Sequence, residues 1–347
     1  MFLNNGWYVL GFSNEVGPEL LARTVLNQDI VAFRDANGRV RALEDRCCHR
    51  AVPLSLGKVR PEGLECGYHG MVFNGDGRCV FILGQSDISA TACVRAYPLV
   101  ERAEFLWIWM GDPALADEAQ IPVIPFDSAS WRVGRMKVTV QCDYLLLLEN
   151  LMDLTHLPYV HSATIGSGQA DSHGAAEMTV ERTQTGTHLR RVMRNIAPPE
   201  TFAALYGANG LIDRWQDLQF ISPSIVLQCS GFCNAGELDE TNAPNSGQIY
   251  YIVHGITPET DTSCHYIASM ADKMPPSDDQ SAALQKVFQE DIQVLEAQQR
   301  SIARTGKNRL VSIRSDRARI ELNRFVERAL AEEAKASQTD LVLEALV

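Results

Sequence analysis

The sequence predicts an α+β protein in two domains, a small all-β one followed by a larger one that mixes strands with helices. Three observations carry this. Up to about residue 110 the chain is a series of short β-prone runs punctuated by turn signals; a stretch containing Pro113, Pro122 and Pro125 follows; and beyond it strand-like runs alternate with long helical ones. At 347 residues there is room for one small and one ordinary domain, and an apolar fraction of 46% suits a globular core. The expected domains are 1–115 and 116–347.

In the first domain, residues 29–34, 40–43, 71–74, 80–83 and 105–109 read as strands, with turns at 35–38 and 75–77. The second opens with a strand at 135–141 and a helix at 144–156. Further strands are expected at 218–229, interrupted by Pro223, and at 248–256. Ser277 is a candidate N-cap for a helix that runs to about Arg304 and stops at Gly306, and a charged helix covers 315–336.

The formal charge of −12 argues against nucleic acid or an anionic membrane as partner and suits a basic redox protein. Nine cysteines, scattered and odd in number, point to a reducing compartment rather than a disulfide framework. The first residues hold no basic region followed by an apolar stretch, and nowhere do 18 apolar residues run together. The expectation is a cytoplasmic protein without a membrane segment.

Cys47-Cys48-His49 and, sixteen residues later, Cys66-Gly67-Tyr68-His69 form the most informative pattern in the chain. A C-x-H…C-x-x-H spacing is the form a Rieske [2Fe–2S] centre takes, with two imidazoles replacing two thiolates on one iron and raising the potential. Gly67 and Gly70 allow the second loop to turn tightly. A structural zinc site is the alternative, but zinc modules usually use C-x₂₋₄-C knuckles, and a C-x-H half-site is uncommon among them. Cys48 lies between two ligands and is a bystander.

A second constellation lies in the helical run. Asn150, Asp153 and His156 are spaced by three and share one stripe of a helix. His161 falls roughly 140° further round an ideal helix, so the chain must bend near Pro158 to bring both imidazoles to one point. Two histidines and a carboxylate make the facial triad of non-haem Fe(II) oxygenases, with positions left open for O₂ and substrate. Asp291 is the candidate carboxylate, because it falls on the apolar helix face of Leu284, Val287, Phe288, Leu295 and Ile302, where an unpaired charge would be costly. Glu290 rotates onto the polar side. The bland alternative is two hydrogen-bonded core histidines and an Asp satisfied by an Arg; the cluster pattern upstream favours iron, since an electron-transfer centre needs an acceptor.

With both patterns in hand, the chain resembles the oxygenase (alpha) component of Rieske non-haem iron aromatic ring-hydroxylating oxygenases, in the group of vanillate O-demethylase, dicamba O-demethylase and toluenesulfonate methyl-monooxygenase. The matching segments are 5–9 (NGWYV), 47–50 (CCHR), 66–70 (CGYHG), 107–113 (WIWMGDP), 150–161, 213–215 (DRW), 256–260 (ITPET) and Glu290-Asp291. The resemblance implies that Cys47, His49, Cys66 and His69 hold the cluster and that His156, His161 and Asp291 hold mononuclear Fe(II). It implies a helix-grip catalytic domain, an antiparallel sheet wrapped around a helix. Asp153, with Asn150 beside it, matches the catalytic bridging acid, which bonds an iron-ligand histidine of its own subunit and His69 of the next. A homotrimer, a separate NAD(P)H-dependent flavin or ferredoxin-type reductase, O₂ and an aromatic substrate follow from the same resemblance. His254 and Gln228 match pocket-lining positions. Cys48 stands where many members have Pro.

The expected activity is that of a terminal monooxygenase component that O-demethylates or hydroxylates a carboxylated aromatic substrate. Alternatives are a Rieske oxygenase that dihydroxylates a ring or oxidises a non-aromatic compound, and an electron-carrying iron–sulfur protein. Arg190, Arg191, Arg194 and Arg214 are available to an anionic substrate, but as charged residues they read first as solvated surface.

Overall fold

The structure, a computed structural model, describes residues 1–126, 129–166, 170–239, 247–273, 278–306 and 310–344. The chain divides into two compact units, Met1–Pro122 with Thr257–Asp261, and Val123–Ile256 with Thr262–Val347. The first unit thus ends later than residue 115 and takes in a short segment from far along the sequence.

The first unit is all-β. Its strands are β1 (Trp7–Phe12), β2 (Leu21–Val25), β3 (Gln28–Arg34), β4 (Val40–Glu44), β5 (Lys58–Arg60), β6 (Gly63–Glu65), β7 (Val72–Phe73), β8 (Cys79–Phe81), β9 (Ala96–Tyr97), β10 (Leu99–Arg102) and β11 (Phe105–Trp109). They form three small sheets, β1-β11-β10, β2-β3-β4-β9 and β5-β6-β7-β8. β11 reads Phe-Leu-Trp-Ile-Trp and is buried at every position because it is the central strand, covered on both faces. The expected strand 71–74 shortens to two residues, since the Met71 carbonyl accepts from the Cys66 amide and so belongs to a loop. The Thr257 hydroxyl donates to the Val9 carbonyl at 2.7 Å, which ties the inserted segment to this unit.

The second unit is α+β. β12 (Arg132–Val140) is followed by α1 (Tyr144–Leu151), α2 (Leu157–Val160) and α3 (Ala170–Gly174). Then come β13 (Glu177–Arg182), β14 (Gly186–Ile196), α4 (Glu200–Tyr206), β15 (Ile212–Ile221), β16 (Ile225–Asn234), β17 (Gln248–Thr260), β18 (Ser263–Asp272), α5 (Asp278–Thr305) and α6 (Arg317–Glu344). The sheet order is β12-β18-β17-β16-β15-β14-β13, with antiparallel register along its length. α5 lies against it, with Phe288 edge-on to Tyr266 at 5.2 Å between ring centroids and to His254 at 6.5 Å.

Two departures from the sequence expectation matter. The run 218–229 is a hairpin of two strands, because Pro223 has no amide to donate in a central strand and Ile221 pairs with Ile225 across the turn. The helix expected over 144–156 ends at Leu151. Asp153 leaves the helical region (φ −126°, ψ 96°) and caps a new 3₁₀ turn, Leu154–His156, through a bond from the Thr155 amide at 3.0 Å. Pro158 sits in the first turn of α2, where its missing N–H costs nothing; the helix breaks at Asp153, ahead of both histidines, and between them the chain passes from the 3₁₀ turn into α2. Gly306, with φ +73°, stops α5 as expected, its amide bonding the Ile302 carbonyl at 2.8 Å. Ser277 and the side chain of Leu284 lie outside the described residues. No helix among the described residues is long and apolar enough to cross a membrane.

Candidate functional site

The first unit brings the four expected cluster residues together on two matched turns. In one, the Ala51 amide bonds the Cys47 carbonyl and the Cys47 amide bonds the Val52 carbonyl; in the other, Gly70 bonds Cys66 and Cys66 bonds Met71, at the same offsets. The fifth residue of each turn is left-handed, Ala51 at φ +57° and Gly70 at +71°. Gly67 is needed for a different reason: a Cβ there would lie 2.6 Å from the Leu56 carbonyl oxygen. Cys47 and Cys66 are buried, whereas His49 and His69 are exposed with ring centroids 4.6 Å apart. Burial, with the Cys66 thiol alongside, pushes the Cys47 thiol up to about 11. Two buried, neighbouring sulfurs and two adjacent exposed imidazoles fit the donor set that a [2Fe–2S] centre with mixed ligation takes.

The second unit brings His156, His161 and Asp291 together although they come from three elements, and one ligand atom of each lies within 4.8 Å of the others. Asp291 Oδ1 is 3.4 Å from His156 Nε2 and 3.2 Å from His161 Nε2. Each imidazole is oriented through its other nitrogen. His156 Nδ1 donates to the Asp153 main-chain carbonyl at 2.5 Å, and His161 Nδ1 donates to Glu290 Oε2 at 2.8 Å, which also accepts from the Thr164 hydroxyl. Burial lowers the His156 pKa, although Asp291 pulls the other way; for His161 burial is outweighed by the Asp291 and Glu290 carboxylates, which raise it. A neutral His156 therefore points the lone pair of Nε2 at a carboxylate oxygen, an arrangement that calls for a cation between them. Donors held about 2.1 Å from a six-coordinate ion sit about 3 Å apart, close to the two carboxylate–imidazole distances here, so these residues fit Fe(II). Asn150 Nδ2 donates to Asp291 Oδ1 at 3.2 Å and steadies the carboxylate.

Asp153 is next to this centre, but its main chain makes the bond to His156. Its carboxylate Oδ1 accepts from the Thr155 amide and hydroxyl. Glu290, expected on the polar side of α5, reaches the flank instead and engages His161, because the 161–164 turn passes beside the helix.

The centre opens into a cavity of about 120 Å³, of the order of the roughly 150 Å³ known to take benzene elsewhere. Leu154, Leu157, Phe202, Leu218, Ile252 and Val287 make its wall largely apolar. Strand alternation directs Arg214, Gln216 and Leu218 of β15 and Tyr250, Ile252 and His254 of β17 to the same face. His254 and Gln228 also line it and are bonded to each other. Burial holds His254 neutral, down to about 3. The Tyr266 hydroxyl donates to His254 Nδ1 at 2.6 Å, His254 Nε2 donates to Gln228 Oε1 at 3.0 Å, and Gln228 Nε2 donates to the Ser230 hydroxyl at 2.9 Å.

Residues 6–98 match the Rieske [2Fe-2S] domain, and residues 140–332 match the vanillate O-demethylase oxygenase C-terminal domain. The chain belongs to the Rieske non-haem iron oxygenases. Among its relatives, the vanillate O-demethylase oxygenase subunit of Pseudomonas sp. (strain HR199 / DSM 7063) is 37% identical over 99% of both chains. The toluene-4-sulfonate monooxygenase system iron-sulfur subunit TsaM1 of Comamonas testosteroni is 35% identical over 91% of this chain and 93% of its own length. The crystal structure of dicamba monooxygenase bound to 3,6-dichlorosalicylic acid superposes with a TM-score of 0.87 at 32% identity, covering 96% of this chain and 99% of that one. The oxygenase is thus the oxygenase component of a Rieske monooxygenase system, with a [2Fe–2S] cluster and a non-haem iron as its cofactors. Such components draw their electrons from a separate reductase.

Proposed function

We propose that this oxygenase removes the methyl group of an aromatic methyl ether, with Cys47, His49, Cys66 and His69 holding the cluster and His156, His161 and Asp291 holding the iron. The observation that carries the reading is a two-histidine, one-carboxylate centre opening directly into a largely apolar cavity of about 120 Å³. When bound, the metals supply the redox chemistry: the cluster passes single electrons and the iron activates O₂ for insertion into a C–H bond.

The residues do the rest. Glu290 and the Asp153 carbonyl fix which nitrogen each imidazole presents, and Asn150 holds the carboxylate beside them. Leucine and isoleucine walls keep water from the reacting methyl group. His254 and Gln228, locked in one tautomer and one amide orientation by the bonds from Tyr266 and to Ser230, form a polar strip that orients the ring. Overall, a methoxyarene, O₂, two electrons and two protons give water and a hydroxymethyl aryl ether, which collapses to a phenol and formaldehyde. Hydroxylation of a ring methyl uses the same oxygen insertion without the collapse.

The electrons come from NAD(P)H through a flavin or ferredoxin-type reductase. In the working unit, a homotrimer, Asp153 links the iron-site histidine of one subunit to His69 of the next. The test is a single turnover of the chemically reduced holoprotein with O₂ and a panel of methoxybenzoates. Formaldehyde released in step with cluster oxidation is expected. Hydroxylated product without formaldehyde would replace demethylation by ring or methyl hydroxylation.

A further inference from the structure

Arg191 and Gln216 stand directly opposite each other on β14 and β15, so their side chains share one face of the sheet. Arg191 is 1% exposed, not solvated as its charge suggests, and its guanidinium is pinned in place. Nη1 donates to the Leu154 carbonyl at 2.8 Å and to Gln216 Oε1 at 3.4 Å, and Nη2 donates to the His173 carbonyl at 3.0 Å. Burial lowers its pKa to about 10, which leaves it a cation at neutral pH. A guanidinium donates and never accepts, so the atom that Gln216 turns toward it is the carbonyl oxygen, and the amide nitrogen points elsewhere.

Gln216 lines the cavity beside the candidate iron residues and is 2% exposed. Among the described residues three side-chain amides line this cavity, and two are already engaged. Asn150 Nδ2 donates to Asp291 Oδ1; Gln228 Nε2 donates to the Ser230 hydroxyl while its oxygen accepts from His254. Gln216 Nε2 has no acceptor among the described residues and, unlike Arg214 Nε and Nη2, it is not cut off from the surrounding space. An unpaired donor in so secluded a place is costly until the occupant of the cavity supplies an acceptor. The cation on its oxygen polarises the amide and makes its N–H bonds better donors.

We propose that Gln216 is a specificity-determining residue of the cavity, its amide N–H₂, held in one orientation by Arg191, binding an acceptor oxygen on the ring substituent of an aromatic substrate, a carboxylate above all. The proposal rests on the cavity being the site of an aromatic substrate, as above. A ring that carries only a methyl at that position leaves the amide unpaired, and a ring that presents an N–H there sets donor against donor.

The test is calorimetric binding of 4-methoxybenzoate, 4-methylanisole and 4-methoxyaniline to the holoprotein. The wild type is expected to bind the benzoate at least about 10-fold more tightly than the methylanisole, the lower end of what a hydrogen bond to a charged group supplies. Gln216→Leu should weaken the benzoate by about 10- to 100-fold and leave the methylanisole within about threefold. Gln216→Glu keeps an oxygen toward Arg191 but turns the donor into an acceptor. It should weaken the benzoate at least as much and tighten the methoxyaniline by about 3- to 10-fold, a reversal that lost packing would not produce. A benzoate-to-methylanisole ratio unchanged in Gln216→Leu overturns the proposal. A ratio that falls there with no gain for the methoxyaniline in Gln216→Glu also overturns it, since the effect then runs through Arg191. If Gln216→Leu loses its metals, Gln216→Glu decides; if both do, the wild type decides, equal affinity for benzoate and methylanisole overturning the proposal and the expected preference keeping it. Preference that depends on Gln216, without formaldehyde in turnover, keeps the subsite and removes demethylation. Formaldehyde release with an affinity ratio indifferent to Gln216 does the reverse.

Discussion

The two candidate metal centres are built in opposite ways. The cluster residues sit on two copies of one local turn, each closed by its own backbone bonds, with buried sulfurs and exposed imidazoles. The candidate iron residues lie in the 3₁₀ turn before α2, just past the end of α2 and on α5, and they meet only because the second unit folds. The first design leaves its imidazoles exposed, where an electron can arrive or leave. The second secludes its donors beside an apolar cavity, where O₂ chemistry needs water kept out. A local turn resists the loss of distant contacts but not a change in its backbone, and an assembled triad has the converse weakness.

The difference can be broken from either side. Asp291→Ala should abolish mononuclear iron binding and turnover while leaving the visible spectrum of the cluster intact, measured as iron and sulfide content beside absorption. Retention of that iron would remove Asp291 from the triad. Gly67→Ala should do the reverse. It forces a Cβ to 2.6 Å from the Leu56 carbonyl, a clash of about 1–3 kcal/mol that lowers cluster occupancy while the second unit keeps its iron. Full cluster occupancy would show that the loop tolerates the shift. Glu290→Gln sharpens the comparison within the triad, since only His161 is oriented by a side chain. Iron affinity should fall by about 10- to 100-fold, read from chelator competition, without loss of the cluster. No change in affinity would mean that the 161–164 turn alone sets the imidazole.

The cluster pattern was legible because its ligands and the glycines that shape its turns are close in sequence. The histidine pair was legible as a pair, but the break in the helix at Asp153 was not: an Asp reads as helix or cap according to a φ/ψ that sequence spacing does not reveal. Asp291 stood out as a charge on an apolar stripe. Glu290 and Arg214 did not. Glu290 is on the polar side by phase alone, and only the turn that carries Thr164 gives its carboxylate a partner. Arg214 is an arginine among several, and nothing in a strand's alternation says which face lies over a cavity.

By itself, then, the chain determined what recurs over a few residues: the cluster turns, the histidine pair, the helix stop at Gly306, and a mixed fold with an all-β beginning. Tertiary structure decided what depends on distant elements meeting: the Thr257–Asp261 segment joined to the first unit, the carboxylate behind His161, and the buried fork of Arg214. The physical reason is range. Backbone hydrogen bonds and turn chemistry act between near neighbours, whereas burial, which takes the Arg214 guanidinium wholly out of solvent, belongs to the whole fold.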